Sequence, residues 1–395
     1  MKHYMMLATV AVVLLACTRI DTSDPQVAPE EPTGIGFSSY TPRQLTRAND
    51  SFVDGNALAS GKQFAVYAWQ TDYGEFLTAN PGPPTFMNPA VVTWSGDDNS
   101  GSGNSYEPKR YWPSGDNPAN LSFTAYYPYA GSGIMAPTFD ANTAGVYVFA
   151  AQASSAAMVD FCVADVVNDQ VYGHTNKTAS GHKGSVNFSF KHMLTKVQFR
   201  FRTTDIDENT TVKLVEAQLK NIRTTGTLTA TFTRHMDTTD PEHPVPAPGV
   251  NILGTTDTDW SGQAIAAPPI TYDLTLNNSN PTPNTNEITL DTDLNTVHNN
   301  DIFLMVPQEM VPRTGTNPQY LEITWKVTTD GVTTTNTKKL YLDDCVSTSG
   351  PEPAGIDWEK NRFVTYTITI GPAPIYFTGA VSNWSTGQNG YFNAH

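Results

Sequence analysis

Charge is what this sequence has least of. Only 15% of its 395 residues are Asp, Glu, Lys or Arg, against about a quarter in an ordinary soluble domain. A coiled coil or helical bundle needs far more Glu, Lys, Arg and Leu than that. Lys and Arg number 23 against 38 acidic residues, and the net charge of −15 opposes contact with phosphate backbones, so nucleic-acid binding is a poor fit. Cysteine is scarce, with three residues, and histidine is limited to eight. No apolar run approaches the roughly 18 residues that a membrane-spanning helix needs. Catalytic signatures are missing too: no Gly-x-Ser-x-Gly, no His-Glu-x-x-His and no phosphate-cradling glycine loop. What fills the space is uncharged. There are 53 Thr, 28 Gly and 28 Pro, with abundant Asn and Ser. The 17 Tyr, 18 Phe and 7 Trp argue against disorder over most of the length. Thr and aromatics suit a pleated, half-buried surface, which points to an all-β protein of about two domains.

The chain opens with an address. Lys2 and His3 precede an apolar run of 12 residues, Met5 to Ala16, too short to span a bilayer and suited to a signal-peptide core. It ends Leu14-Leu15-Ala16-Cys17, which resembles a bacterial lipobox. A thiol at that cut site accepts diacylglycerol, and two or three acyl chains then hold the mature protein on a membrane. Residues 1–16 therefore read as a lipoprotein signal peptide and Cys17 as the lipidated residue. Residues 17–47 read as a tether, rich in proline and poor in apolar periodicity, apart from a short strand candidate at Ile35 to Tyr40.

Strand patterns begin near residue 60. Phe64 to Trp69 is an apolar run of strand length. Leu121, Phe123, Ala125 and Tyr127 alternate on one face, as do Val197, Phe199 and Phe201 against Lys196, Gln198, Arg200 and Arg202. Leu321 to Val327 and Thr335 to Leu342 frame Asp330-Gly331, a hairpin turn signal. Val364, Tyr366, Ile368 and Ile370 alternate in the last strong strand, and Ile375 to Trp384 offers one more. Residues 237–300 are rich in Thr, Asn and Pro, with weak strands at 270–275 and 287–291. A polar, glycine-rich stretch at 173–185 marks a boundary. The expected architecture is two β-sandwiches in tandem, of transthyretin-like or immunoglobulin-like Greek-key type, at 48–182 and 183–395.

Chemistry is hard to find. Adjacent acids at Asp97-Asp98 and Asp343-Asp344 point to opposite faces of a strand and make no acid–base pair. Asp-x-Asp steps at Asp205/Asp207, Asp257/Asp259 and Asp291/Asp293 lack the rest of a calcium loop. His192 alone among the histidines lies inside a strong strand, and a single histidine there reads as structural ahead of ligand or base. Cys162 and Cys345 have no Cys or His at metal spacing, and each reads as a small apolar residue near a strand. Trp94, Tyr111, Trp112, Tyr126, Tyr127 and Tyr129 cluster in sequence, as core packing or as a sugar platform. No enzyme activity, cofactor or metal is expected.

Several segments in this order look familiar: Phe64-Ala65-Val66-Tyr67-Ala68, Phe86-Met87-Asn88-Pro89, Lys109-Arg110-Tyr111-Trp112-Pro113, Leu121 to Pro128, Asp160-Phe161-Cys162-Val163-Ala164, Phe188 to Val197 and Tyr366 to Gly371. Together with the lipobox they resemble the fimbrillin family of the Bacteroidales, the subunits of type V pili. The resemblance implies export as a lipoprotein to the outer membrane and cell surface, followed by cleavage after an Arg in the N-terminal region by a trypsin-like protease. That cut removes the first strand and opens a groove, which a strand of another pilin subunit fills. Such heterologous contacts propagate a filament that supports adhesion. Arg47-Ala48 matches the cleavage site best, with Arg43 as runner-up. Ile35 to Tyr40 is the strand removed, and Ile375 to Trp384 the candidate donor, unless that tail completes its own domain. Residues 1–47 carry four basic and four acidic residues, so their loss leaves the net charge at −15. The alternative is a surface lipoprotein that binds glycan or host protein without polymerising.

Overall fold

A computed structural model describes residues 34–40, 60–71, 82–95, 104–114, 119–129, 136–139, 145–150, 158–170, 185–204, 206–233, 253–274, 287–292, 302–347, 355–371 and 375–383. Among them the chain is all-β, with strands and one 3-10 turn at Leu342–Asp344 and no α-helix. The strands of its first half are β1 (Gly36–Tyr40), β2 (Gln63–Thr71), β3 (Met87–Thr93), β4 (Asn120–Tyr127), β5 (Gly145–Ala150), β6 (Cys162–Ala164), β7 (Val166–Gln170) and β8 (Ser185–His192). The second half holds β9 (Thr195–Thr203), β10 (Thr210–Lys220), β11 (Thr225–Thr233), β12 (Leu253–Ala264), β13 (Tyr272–Asp273), β14 (Ile288–Thr289), β15 (Ile302–Met305), β16 (Tyr320–Thr329), β17 (Val332–Tyr341), β18 (Val346–Ser347), β19 (Arg362–Ile370) and β20 (Tyr376–Asn383).

One ten-stranded sheet runs β1-β8-β6-β4-β7-β12-β11-β5, with β2 paired to β4 and β3 paired to β2. The alternating Leu121, Phe123, Ala125 and Tyr127 of β4 point into one core, beside Phe37, Phe64, Val66, Ala68, Val186, Phe188 and Phe190. The apolar run of β2 is continuous because both faces are covered. Phe64, Val66 and Ala68 enter that core, while Ala65, Tyr67 and Trp69 join a second one.

The second core is lined by two five-stranded sheets, β13-β10-β16-β17 with β14 on β10, and β15-β9-β19-β20-β18, and by residues of the ten-stranded sheet such as Tyr67, Trp69 and Phe149. Val212, Leu214, Ala217 and Leu219 of β10 meet Val197, Phe199 and Phe201 of β9 and Val364, Tyr366, Ile368 and Ile370 of β19. The β9 and β19 sets sit at period two, and the β10 set does so on either side of a bulge between Leu214 and Glu216, so register follows from burial. The Asp330-Gly331 turn closes β16 on β17 with both residues at positive φ, 50° and 78°. That is the geometry a two-residue hairpin of matching twist requires.

The boundary expected at 182/183 falls ahead of β8, which pairs with β1 and β6 of the first sheet. The hairpin β11–β12 also joins that sheet, through β5 and β7. Trp260 of β12 packs edge-on against Phe149 and Phe161, and its Nε1–H donates to the Met193 carbonyl at 2.8 Å. Strand pairing thus crosses the expected boundary twice. Strand β12 lies in the stretch where the sequence suggested only weak strands, because its Thr, Asp and Gly content masks the alternation.

Candidate strand-exchange groove

The short strand expected in the tether is β1, and it occupies the edge of the ten-stranded sheet. It runs parallel to β8, from Gly36 opposite Ser185 to Tyr40 opposite Ser189. Its other flank rests on the segment around residues 104–111. Ile35 N–H donates to the Arg110 carbonyl at 2.9 Å, and Gly34 forms an antiparallel bridge with Tyr111. Two side chains grip its backbone: Asn104 Nδ2 donates to the Phe37 carbonyl at 2.6 Å, and the Tyr106 hydroxyl to the Ile35 carbonyl at 2.9 Å.

Ile35 and Phe37 point inward and are buried at 1% and 0% exposure. The Phe37 ring stacks on Phe188 at 5.9 Å and meets Tyr106 at 5.3 Å and Phe123 at 6.2 Å. Trp112 lies behind Phe123 at 5.9 Å. This is an apolar slot with a main-chain ladder along β8 and side-chain donors on the other flank, filled by a strand from outside the domain expected at 48–182. Alternating side chains fix register, and the ladder supplies affinity. Withdrawal of β1 leaves the edge of β8 unpaired and Phe123, Phe188 and Tyr106 uncovered.

The candidate donor, residues 375–384, is represented by β20. It pairs antiparallel with β19 over eight positions, from Tyr376–Thr369 to Asn383–Arg362, and β18 lies parallel on its other side. Phe377 stacks on Tyr366 at 5.4 Å. In this structure the tail completes its own sheet. Cys17, Arg43, Arg47, Ala48 and Trp384 lie outside the described residues.

The remaining candidates sort by burial. Trp94, Trp112, Tyr126 and Tyr127 are core residues, and of the six aromatics that could bind sugar only Tyr111 is largely exposed. Cys162 and Cys345 are both free and buried, in different cores, so they form no disulfide. Asp257 and Asp259 stand on β12. One constellation escaped the sequence. Asp160, Cys162 and His192 meet in the first half, all buried. His192 Nδ1 lies 2.6 Å and Cys162 Sγ 3.4 Å from Asp160 Oδ2, with Cys162 Sγ 3.6 Å from His192 Nδ1. Register explains it: Cys162 of β6 sits directly opposite His192 of β8, 30 residues away. Spacing along the chain carries no trace of such a cross-strand contact. Burial and the adjacent Asp160 carboxylate push the Cys162 thiol well up. That is the reverse of what a nucleophilic cysteine needs.

The described residues are all-β, and an apolar slot at one sheet edge is filled by β1. The comparisons name the family: a fimbrillin-like family model matches residues 46–384, and the chain belongs to that family. It is 24% identical over 226 residues to fimbrium subunit Fim1C of Phocaeicola vulgatus, covering 55% of each chain. The match thus spans about half the length of that curated relative. A solved fimbrial protein from Bacteroides vulgatus superposes at a TM-score of 0.56, with 18% identity over 89% of this chain and 99% of that one. A cell adhesion protein from Bacteroides uniformis matches at a TM-score of 0.43 with 15% identity, covering 90% of this chain and 99% of the other.

Proposed function

We propose that this chain is a structural subunit of a surface fimbria, exported as a lipoprotein through Cys17 and matured by cleavage after Arg47. Maturation removes β1 with the tether and opens the slot on β8. An extended strand of another fimbrillin then enters, with an apolar residue where Phe37 now sits. The observation that carries this reading is β1 itself. It is the only described segment ahead of residue 60. It contributes two buried apolar side chains to a core otherwise built from residues 64–190. Arg47 lies seven residues past the end of β1, so a cut there severs the plug from the slot. Family membership supports the fibre role and a place on the cell surface; outer-membrane attachment and a purely structural rather than catalytic role are parts of the same proposal.

Mass spectrometry of the mature N-terminus tests this directly. A free Ala48 on surface material supports processing, and a lipidated Cys17 alone refutes it. Assembly is the second arm. Residues 48–395 form ladders that resist mild detergent while 18–395 stays monomeric; monomers from both would end the polymer reading. One observation favours a non-polymerising lipoprotein that binds glycan or host protein: β20, the candidate donor, is seated on β19 over its whole length. That reading predicts retained lipid and no processed form.

A further inference from the structure

The buried cluster on the wall beneath the slot has the composition of a metal site. Asp160, Cys162 and His192 offer a carboxylate, a thiolate and an imidazole, and none of the three exceeds 1% exposure. As a purely hydrogen-bonded triad the arrangement is poorly balanced. Both the imidazole and the thiol lie against the same oxygen, Asp160 Oδ2. The other oxygen, Oδ1, is buried with no hydrogen-bond partner among the described residues. A buried carboxylate left half-satisfied is costly, and a positive charge beside it is the usual remedy.

We propose that Asp160, Cys162 and His192 bind one zinc ion, or a divalent ion of similar softness, as a structural staple between β6 and β8. The donor set is one that zinc accepts, with Zn–S near 2.3 Å and Zn–N and Zn–O of about 2.0–2.2 Å. Around a tetrahedral ion those lengths place sulfur about 3.5 Å from each lighter donor. The observed Cys162 Sγ separations, 3.6 Å to His192 Nδ1 and 3.4 Å to Asp160 Oδ2, already match. The 2.6 Å contact between His192 and Asp160 opens as the ion replaces their shared proton. Three side chains thus hold the ion, and Asp160 Oδ1 leans on it as the second oxygen of a narrow chelate, which gives the orphan oxygen a cation beside it. The reaction is an exchange: zinc enters as a dication, Cys162 releases its thiol proton to solvent, and His192 binds through Nδ1 as the neutral imidazole, with its one ring proton on Nε2. Because the donors are buried, loading accompanies folding. The staple would fix β8, the strand against which β1, and in the proposed cycle its replacement, must pair.

The test uses the full chain in mild detergent, refolded with zinc chloride or cobalt chloride and freed of loose metal by gel filtration. One zinc per chain is expected, and cobalt gives the near-ultraviolet charge-transfer band of a cobalt–thiolate bond. Cys162→Ser abolishes the band and lowers retained zinc at least tenfold, while Cys345→Ser changes neither. Folded wild-type chain without retained metal overturns the proposal, as does a cobalt band that survives in Cys162→Ser. The wild-type cobalt spectrum decides the matter even if the Cys162 variant fails to fold.

Discussion

The two terminal strands of the described chain, β1 and β20, are seated in opposite ways. Strand β1 is short, parallel and at an edge, with β8 as its one strand neighbour. Its hold comes from two inward side chains, Ile35 and Phe37, and from Asn104 and Tyr106 gripping its carbonyls. Strand β20 is antiparallel over eight positions and interior, between β19 and β18. Yet it carries exposed apolar side chains, Tyr376 at 59% and Val381 at 37%. A plug that must leave is best anchored by a few deep contacts on one side, whereas a strand that closes a sheet is anchored by backbone pairing along both edges. The contrast supports the proposed reading, in which β1 is the exchanged strand and β20 belongs to the permanent architecture.

Deletion breaks the comparison most sharply. Truncation after Gly371 removes β20, uncovers Tyr366 and Ile368 of β19, and strips β18 of its partner. The expected result is loss of cooperative unfolding for the β9–β19 half, read by near-ultraviolet circular dichroism and calorimetry. Removal of residues 1–47 is expected to keep that transition and to add dye-binding apolar surface at the slot. Equal damage from the two truncations would erase the distinction.

Next in size is the anchor ring. Phe37→Ala empties a pocket lined by Phe123, Phe188 and Tyr106, a change that costs roughly 3–5 kcal/mol in a tightly packed core. The effect should be local: amide exchange of β1 and the adjoining edge of β8 accelerates, while β19 and β20 keep their protection. Phe377→Ala, at a half-buried site on Tyr366, is expected to cost less than half as much and to act only on the second core. Global unfolding by Phe37→Ala would mean that β1 is a structural strand like any other.

Much of this was legible because period-two burial writes itself into sequence. The faces of β4, β9 and β19 follow from alternation, and the β16–β17 turn from Asp330-Gly331. The Ile35–Tyr40 strand was visible as well, though its parallel pairing with a segment 149 positions on was not. What escaped has a common cause. Strand β5 and the β11–β12 hairpin enter the first sheet through partners set by tertiary contact, and β12 is too polar to alternate clearly. The Asp160–Cys162–His192 cluster forms across a ladder, and the two cysteines lie in separate cores. The tail at Ile375 to Trp384 reads in sequence as donor or as part of its own domain, because a half-exposed strand looks the same in its own sheet or in a neighbour's.

A finer probe of the plug is Tyr106→Phe. It deletes the hydroxyl that donates to the Ile35 carbonyl and accepts from Arg110 N–H at 3.3 Å, leaving the ring against Phe37. A neutral hydrogen bond of this kind contributes about 1 kcal/mol. The expected outcome is a several-fold faster exchange at Ile35 and Phe37 with unchanged thermal midpoint. A drop in midpoint would place Tyr106 in the permanent fold.

The smallest effect lies at the other strand and needs alkali to be seen. Cys345 is buried under Gly379 of β20, where an added Cβ would meet its sulfur at 3.0 Å. Burial pushes its thiol up to about 12 from an ordinary 9.0. Below pH 9 both folded and unfolded chains hold that proton, so stability is indifferent to pH on this account. Between about 9 and 12 the unfolded chain releases a proton that the folded chain keeps, and stability falls as pH rises. Cys345→Ala should flatten part of that alkaline decline in denaturant titrations, and so should any change that lets β20 lift away. Deletion of residues 1–47 should leave the Cys345 contribution untouched, because β1 and Cys345 share no core. An alkaline slope from Cys345 that vanished with β1 would show the two ends to be coupled, and the plug would then be a sensor of the tail rather than an independent part.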